Sequence, residues 1–327
     1  MGASSAEKEW LRKLAEGQTA VHGAVEEEER QYASSETAVK KAGKAGGGFK
    51  DIAGMDELKT FVTENFINVL NHRECAKAYG IQPPSLMLYG PAGCGKTYFA
   101  EAIACELGVN FMKIIPDDIG SKWVHGTQEK IAEVFREAER KAPTLLFFDE
   151  FDAMVPTRTE GDHGYQNGEV NEFLCMMNNA SQKGVYIITA TNHPENIDSA
   201  VLRTGRIDEL IYIDMPDKAS RESLFRLSLS KLPVAADIDY GHLADMTCGY
   251  NCSDISYIVK VAARKMFNAS IQEGEGAYML ISQPVLEEPI AHKSPSVTEH
   301  ALREYERVRN MFAPGGTRQK PTPIGFR

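Results

Sequence analysis

The stretch "GPAGCGKT", residues 90–97, has the residue types and spacing to hold a polyphosphate. It fits the pattern G-x-x-x-x-G-K-[ST]. Gly90, Gly93 and Gly95 let backbone N–H groups wrap an anion, with Pro91, Ala92 and Cys94 completing the turn. Lys96 can reach the terminal phosphates, and Thr97 can offer a hydroxyl to Mg²⁺. The helical run that opens with Thr97 and Tyr98 adds a partial positive charge at its N-terminus. Further on, "LLFFDE" ends an apolar strand in Asp149 and Glu150. Asp149 can hold the metal through water, and Glu150 can polarise an attacking water. "ITATN" ends in Asn192, a neutral amide able to orient water against a γ-phosphate without adding charge. With Glu150 present, the expected chemistry is hydrolysis of ATP with Mg²⁺, and not binding alone.

These residues need a scaffold that brings strand ends together. Five apolar runs supply it: "SLMLYG", "NFMKII", "TLLFFDE", "VYIITATN" and "LIYIDM". Helical stretches separate them. In "TQEKIAEVFREAERKA", Ile131, Val134, Phe135 and Ala138 share a face, with Thr127 as the expected N-cap. Strands alternating with helices predict an α/β fold, a parallel sheet covered on both sides. After Asp217 the strands stop. Four helices are expected there, the last opening on a capping box, "SVTE", at 296–299. Residues 271–295 read as a long connection. The expected division is 1–48, an N-terminal helix and flexible linker; 49–217, a large nucleotide-binding domain; 218–312, a small helical lid; and 313–327, a flexible tail. The N-terminal segment is open to two readings, a solvated tail or a docking helix for a partner.

Composition narrows the function classes. The 327 residues carry 46 acidic and 36 basic side chains, a net charge of -10. That disfavours a sequence-blind nucleic-acid binder, which needs a basic footprint. The six cysteines form no CxxC and suggest thiols in a reducing compartment. No apolar run approaches ~18 residues, and "MGASSAEKEW" has no apolar signal core, so a cytoplasmic protein without a membrane span is expected.

Six motifs in order, "FKDIAGMDELK", "GPAGCGKT", "SKWVHGTQEK", "LLFFDEFDAM", "TATNHPENIDSAVLRTGRID" and "GYNCSDI", resemble the AAA subfamily of AAA+ ATPases over residues 49–312. The chain is similar to the single-domain group with spastin, katanin and the ESCRT-disassembly ATPases, and to archaeal cell-division relatives. The resemblance implies a five-stranded P-loop fold and a helical lid. It implies that Asn192 is the sensor residue and that Arg206 is an arginine finger reaching a neighbouring subunit's ATP. Assembly as a ring, usually a hexamer, follows from that. Asp51, Ala53 and Gly54 would line the adenine pocket, helped by Gly249, Cys252 and Ser253 from the lid. Lys122, Trp123 and Val124 would form a pore loop gripping a protein substrate, reached directly or through an adaptor. Taken alone, Trp123 could equally be core or tool.

The sequence departs from the family pattern at several places. A second arginine is replaced by Glu209, which leaves Arg206, or Arg203, to meet the phosphate charge. Cys252-Ser253 replaces a Gly-Ala pair, Cys94 a threonine and His125 a glycine. Alkylation of Cys94 is expected to block ATP binding. No H-E-x-x-H occurs, which excludes the metalloprotease branch. Two rival functions follow from the same motifs, a nucleic-acid motor and a scaffold that assembles on ATP without turnover. The acidic balance and Trp123 argue against the first, Glu150 against the second.

Overall fold

The computed structural model of the chain describes residues 47–119, 126–157, 172–178, 180–202, 206–273 and 278–312, with backbone alone at 126–128. Among these residues five strands form one sheet: β1 (Leu86–Tyr89), β2 (Asn110–Ile114), β3 (Thr144–Phe148), β4 (Val185–Thr191) and β5 (Glu209–Tyr212). Their order is β2-β3-β4-β1-β5, and every pairing is parallel. Each strand lies within, or one residue from, the apolar run expected to form it.

β1, β3 and β4 are buried along their whole length because helices cover both faces. Alternation of side chains divides the core in two. Leu86, Leu88, Leu145, Phe147 and Ile188 face helix α1 (Lys96–Leu107), where Phe99 and Ile103 meet them, with Phe66 from Thr63–Ile67. Phe148 turns the other way. Its ring packs on Phe135 of helix α2 (Gly126–Arg140), on Phe151 and on Phe173, at centroid distances of 6.0, 6.0 and 4.7 Å. Burial of each such ring contributes about 1.5–3 kcal/mol, and edge-to-face geometry adds about 0.5–1.5 kcal/mol. This packing anchors the end of β3 that presents Asp149. Helix α2 starts at Gly126, one residue before the expected Thr127 cap.

Among the described residues five helices, not the expected four, follow β5: α3 (Lys218–Leu229), α4 (Tyr240–Met246), α5 (Cys252–Glu273), α6 (Gln283–His292) and α7 (Glu299–Phe312). Asp217 caps α3 by accepting from Ser220 N at 2.7 Å, and Asp239 caps α4 by accepting from His242 N at 2.9 Å. Phe225, Leu229, Leu243, Ile255, Ile258 and Leu286 gather into an apolar cluster of their own.

Helix α6 lies inside the stretch expected to be a long connection. Pro284 and Pro289 in its sequence argue against a helix. Proline is tolerated near a helix start, and Leu286 and Ile290, four apart on one face, are both buried. Tertiary packing therefore outweighs propensity here. The cap of α7 also differs from expectation. Thr298 Oγ1, not Ser296, accepts from Ala301 N at 3.2 Å. Ser296 is taken by the buried Asp254, which accepts from its N–H and its hydroxyl and from Lys293 Nζ at 2.7 Å. Burial alone would raise the Asp254 carboxyl, but the hydrogen bonds from Lys293 and Ser296 outweigh it and hold the group below its ordinary value.

Candidate nucleotide site

Parallel pairing brings three chemically important strand ends together. Tyr89, the last residue of β1, lies opposite Thr191 of β4, so Gly90 leaves the sheet beside Asn192. Phe148, the last of β3, lies opposite Thr189, so Asp149 and Glu150 emerge on the next strand over. The loop at 90–97 then runs into α1, whose first residues are Lys96 and Thr97. Ligands of open parallel sheets collect outside the carboxyl ends of the strands for this reason.

Lys96 is buried, and its Nζ donates to Gly90 O at 2.8 Å and Pro91 O at 2.9 Å. Burial pulls its ammonium down to about 8. An anion beside it would reverse that shift, since an opposite charge favours the charged form. Thr97 Oγ1 donates to Asp149 Oδ2 at 3.0 Å. A hydroxyl and a carboxylate converging at the mouth of a glycine loop are hard oxygen donors suited to Mg²⁺. The donor set therefore fits the metal expected with ATP. Thr97 and Asp149 would hold it, and its charge would offset that of the phosphates.

Glu150 is exposed and has a left-handed backbone, φ 52° and ψ 46°. For a residue other than glycine that conformation costs about 1–2 kcal/mol. It turns the chain at the end of β3, and the Glu150 N–H donates to Asp149 Oδ1 at 3.1 Å. Asn192 is half-buried directly after β4. The turn behind it is fixed by Thr191 Oγ1, which donates to Asp152 Oδ1 at 2.6 Å and accepts from His193 N at 2.8 Å.

The helices after β5 meet the glycine loop directly. Asn251 Nδ2 donates to Ala92 O at 3.0 Å, and Ser253 N donates to Gly93 O at 3.1 Å. A Cβ at Gly93 would come within 2.6 Å of Asn251 Nδ2, and the residue has φ +76°, so glycine is required twice over. A Cβ at Gly54 would lie 2.1 Å from Ser220 Oγ, which places the expected adenine-pocket segment against α3. Asp51 lies close enough to Tyr98 to raise its hydroxyl further, after the larger effect of burial. Gly249, with φ +79°, ends the turn before Asn251 and the residues Cys252 and Ser253.

Three findings were not anticipated from the sequence. Asn251 ties the helical region to the loop. Asp152 holds Thr191. Helix α7 returns to the sheet, with the Phe312 ring 5.8 Å from Tyr89 and Arg309 bonded to Asp214 at 3.2 Å and lying over the Tyr212 ring. The amphipathic pattern of α7 signalled a packed face but not its partner.

Cys94 packs into the buried core cluster that also holds Phe99 and Ile103. It is fully buried, with Sγ 3.5 Å from Met215 Sδ, and burial pushes its thiol up to about 12. The thiolate needed for alkylation is therefore scarce and shielded. Iodoacetamide at neutral pH should leave Cys94 unmodified in the folded protein and modify it after denaturation, as read by peptide mass. Rapid labelling of the folded chain would contradict this placement.

Arg206 lies elsewhere. It precedes β5, whose first residue Glu209 pairs with Leu86 at the start of β1. The glycine loop follows the other end of β1. A four-residue strand is about 13 Å long, so Arg206 and its own loop flank opposite ends of the sheet. Its Nη1 donates to Ala200 O at 2.6 Å. Glu209 is exposed at that same far end. Lys122, Trp123, Val124 and Arg203 lie outside the described residues.

The model for the ATPase family associated with various cellular activities (AAA) matches residues 86–215, from β1 to just beyond β5. The chain belongs to the AAA family of ATPases. It is also 34% identical over 275 residues to the cell division cycle protein 48 homolog of Archaeoglobus fulgidus. That alignment covers 81% of this chain and 38% of the relative, so the chain spans about two fifths of the relative's length. Among the described residues no helix is long and apolar enough to cross a membrane.

Proposed function

We propose that this chain binds and hydrolyses ATP with Mg²⁺ in a homo-oligomeric ring, and uses the cycle to remodel or disassemble a protein substrate. In this reading the loop amides at 93–97 and Lys96 bind the β- and γ-phosphates. Asp51, Ala53, Gly54 and Tyr98 flank the nucleoside with Gly249, Cys252 and Ser253. Glu150 takes the proton from a water whose oxygen attacks the γ-phosphorus, and ADP departs with the bridging oxygen. Asn192 orients that water.

The observation that carries the ring is the placement of Arg206. Strand direction holds it at the far end of the sheet from its own glycine loop, so a finger role requires a second copy. A neighbour's Arg206 would then meet charge on the γ-phosphate in the transition state. The large domain, 49–217, and the lid, 218–312, are read as separate bodies that rotate as Asn251 and Ser253 follow the loop. Trp123 with Lys122 and Val124 would supply the grip, because a flat aromatic packs on any backbone without reading sequence.

Phosphate release per chain, measured over a range of protein concentrations with Mg²⁺ and ATP, should rise in step with assembly followed by light scattering. Turnover independent of concentration would remove the shared site. Assembly on ATP without turnover would favour a nucleotide-dependent scaffold instead.

A further inference from the structure

Lys113 has no role in the nucleotide chemistry described above, yet it touches the centre of that site. It stands near the end of β2, opposite Phe147 of β3. Side chains two residues apart on a strand share a face, so Lys113 and Asp149 lie on the same side of the sheet at its carboxyl edge. Lys113 Nζ is 2.6 Å from Asp149 Oδ2. That is the oxygen to which Thr97 Oγ1 also donates, at 3.0 Å. The other oxygen, Oδ1, accepts from Glu150 N at 3.1 Å. Both carboxylate oxygens are thus satisfied by the protein itself, and the positive charge is supplied by a lysine.

We infer that Lys113 is a positioning residue: an internal cation that keeps Asp149 aimed at Thr97 and competes with Mg²⁺ for the Asp149 carboxylate. The inference rests on the reading of Thr97 and Asp149 as the metal-holding pair. Its physical basis is charge balance. A carboxylate oxygen that carries an ammonium at hydrogen-bond distance must give up that contact before a divalent cation can use it. Lys113 therefore sets how much free Mg²⁺ the site needs, while leaving the phosphate-binding loop and Glu150 untouched. The Lys113 side chain is 38% exposed, so the ammonium can move to solvent without crossing the core.

The test is the free Mg²⁺ concentration that gives half-maximal binding of a fluorescent, non-hydrolysable ATP analogue. Lys113→Met keeps the aliphatic stem and removes the charge. It should lower the Mg²⁺ requirement about two- to fivefold, the scale of a partly exposed ion pair. Lys113→Arg should restore the parent value. Lys113→Gln serves in place of the methionine variant if that chain melts earlier than the parent. An unchanged or increased Mg²⁺ requirement in a folded, uncharged variant would overturn the inference alone. Analogue binding by the parent that ignores Mg²⁺ would overturn the metal-pair reading, and the inference with it.

Discussion

Replacing Arg206 with alanine should lower the turnover of ATP by about 10³–10⁵-fold, the range for an arginine finger. That loss corresponds to about 4–7 kcal/mol of transition-state stabilisation. ATP affinity should stay close to the parent value, because Arg206 lies beyond the end of the sheet opposite its own glycine loop. Its hydrogen-bond partner among the described residues is the Ala200 carbonyl, and the side chain is half-buried. Losing that bond costs only about 0.5–1.5 kcal/mol of stability, so the variant should fold. Phosphate release and fluorescent-nucleotide binding, measured on the same preparation, separate the two effects. Turnover within a few-fold of the parent would show that the charge is met from elsewhere. Glu209 at the position of the family's second arginine makes that alternative specific, since the rest of this segment then offers Arg203 alone.

The second large effect is expected at Glu150. Glu150→Gln preserves size and removes the base. Turnover should fall by about 10²–10⁴-fold, the usual worth of general-base catalysis. Nucleotide should still bind, because Lys96, Thr97 and Asp149 are unaltered. Assemblies formed on ATP should persist instead of cycling. The left-handed backbone at this position supports the assignment independently of the motif. A non-glycine residue held at φ 52° is a local cost that a structure retains where the side chain's direction matters. Normal turnover in this variant would remove Glu150 from the chemistry.

Much of this site was legible because its parts are local. The glycine loop, the acidic pair after an apolar strand and the asparagine after another all sit at strand ends, and parallel order alone brings strand ends together. The five strands were legible for a similar reason, since continuous apolar runs bounded by helices have few other uses. What escaped notice depends on contacts distant in sequence. Helix α6 carries two prolines and is held by the burial of Leu286 and Ile290. The cap of α7 moved to Thr298 because Asp254, 42 residues earlier, engages Ser296. Lys113 could have been found from register, because β2 and β3 are neighbours and Lys113 shares a face with Asp149. That needed the strand order, which hydrophobic pattern does not supply. Cys94 shows the converse. Its place in the motif suggested a reactive thiol beside the phosphates, while its side chain packs against Met215.

The central claim is that each ATP site is completed by a neighbouring copy. Mixing Glu150→Gln with Arg206→Ala tests it most directly. Each variant alone should turn over ATP at no more than about a hundredth of the parent rate. In a mixed assembly, a subunit with intact Glu150 can stand beside one with intact Arg206. Equimolar mixing should therefore restore phosphate release to a clear fraction of the parent rate, and the gain should vanish on dilution below assembly. Activity that stays at the sum of the two separate variants, in assemblies shown to contain both chains, would contradict the shared site.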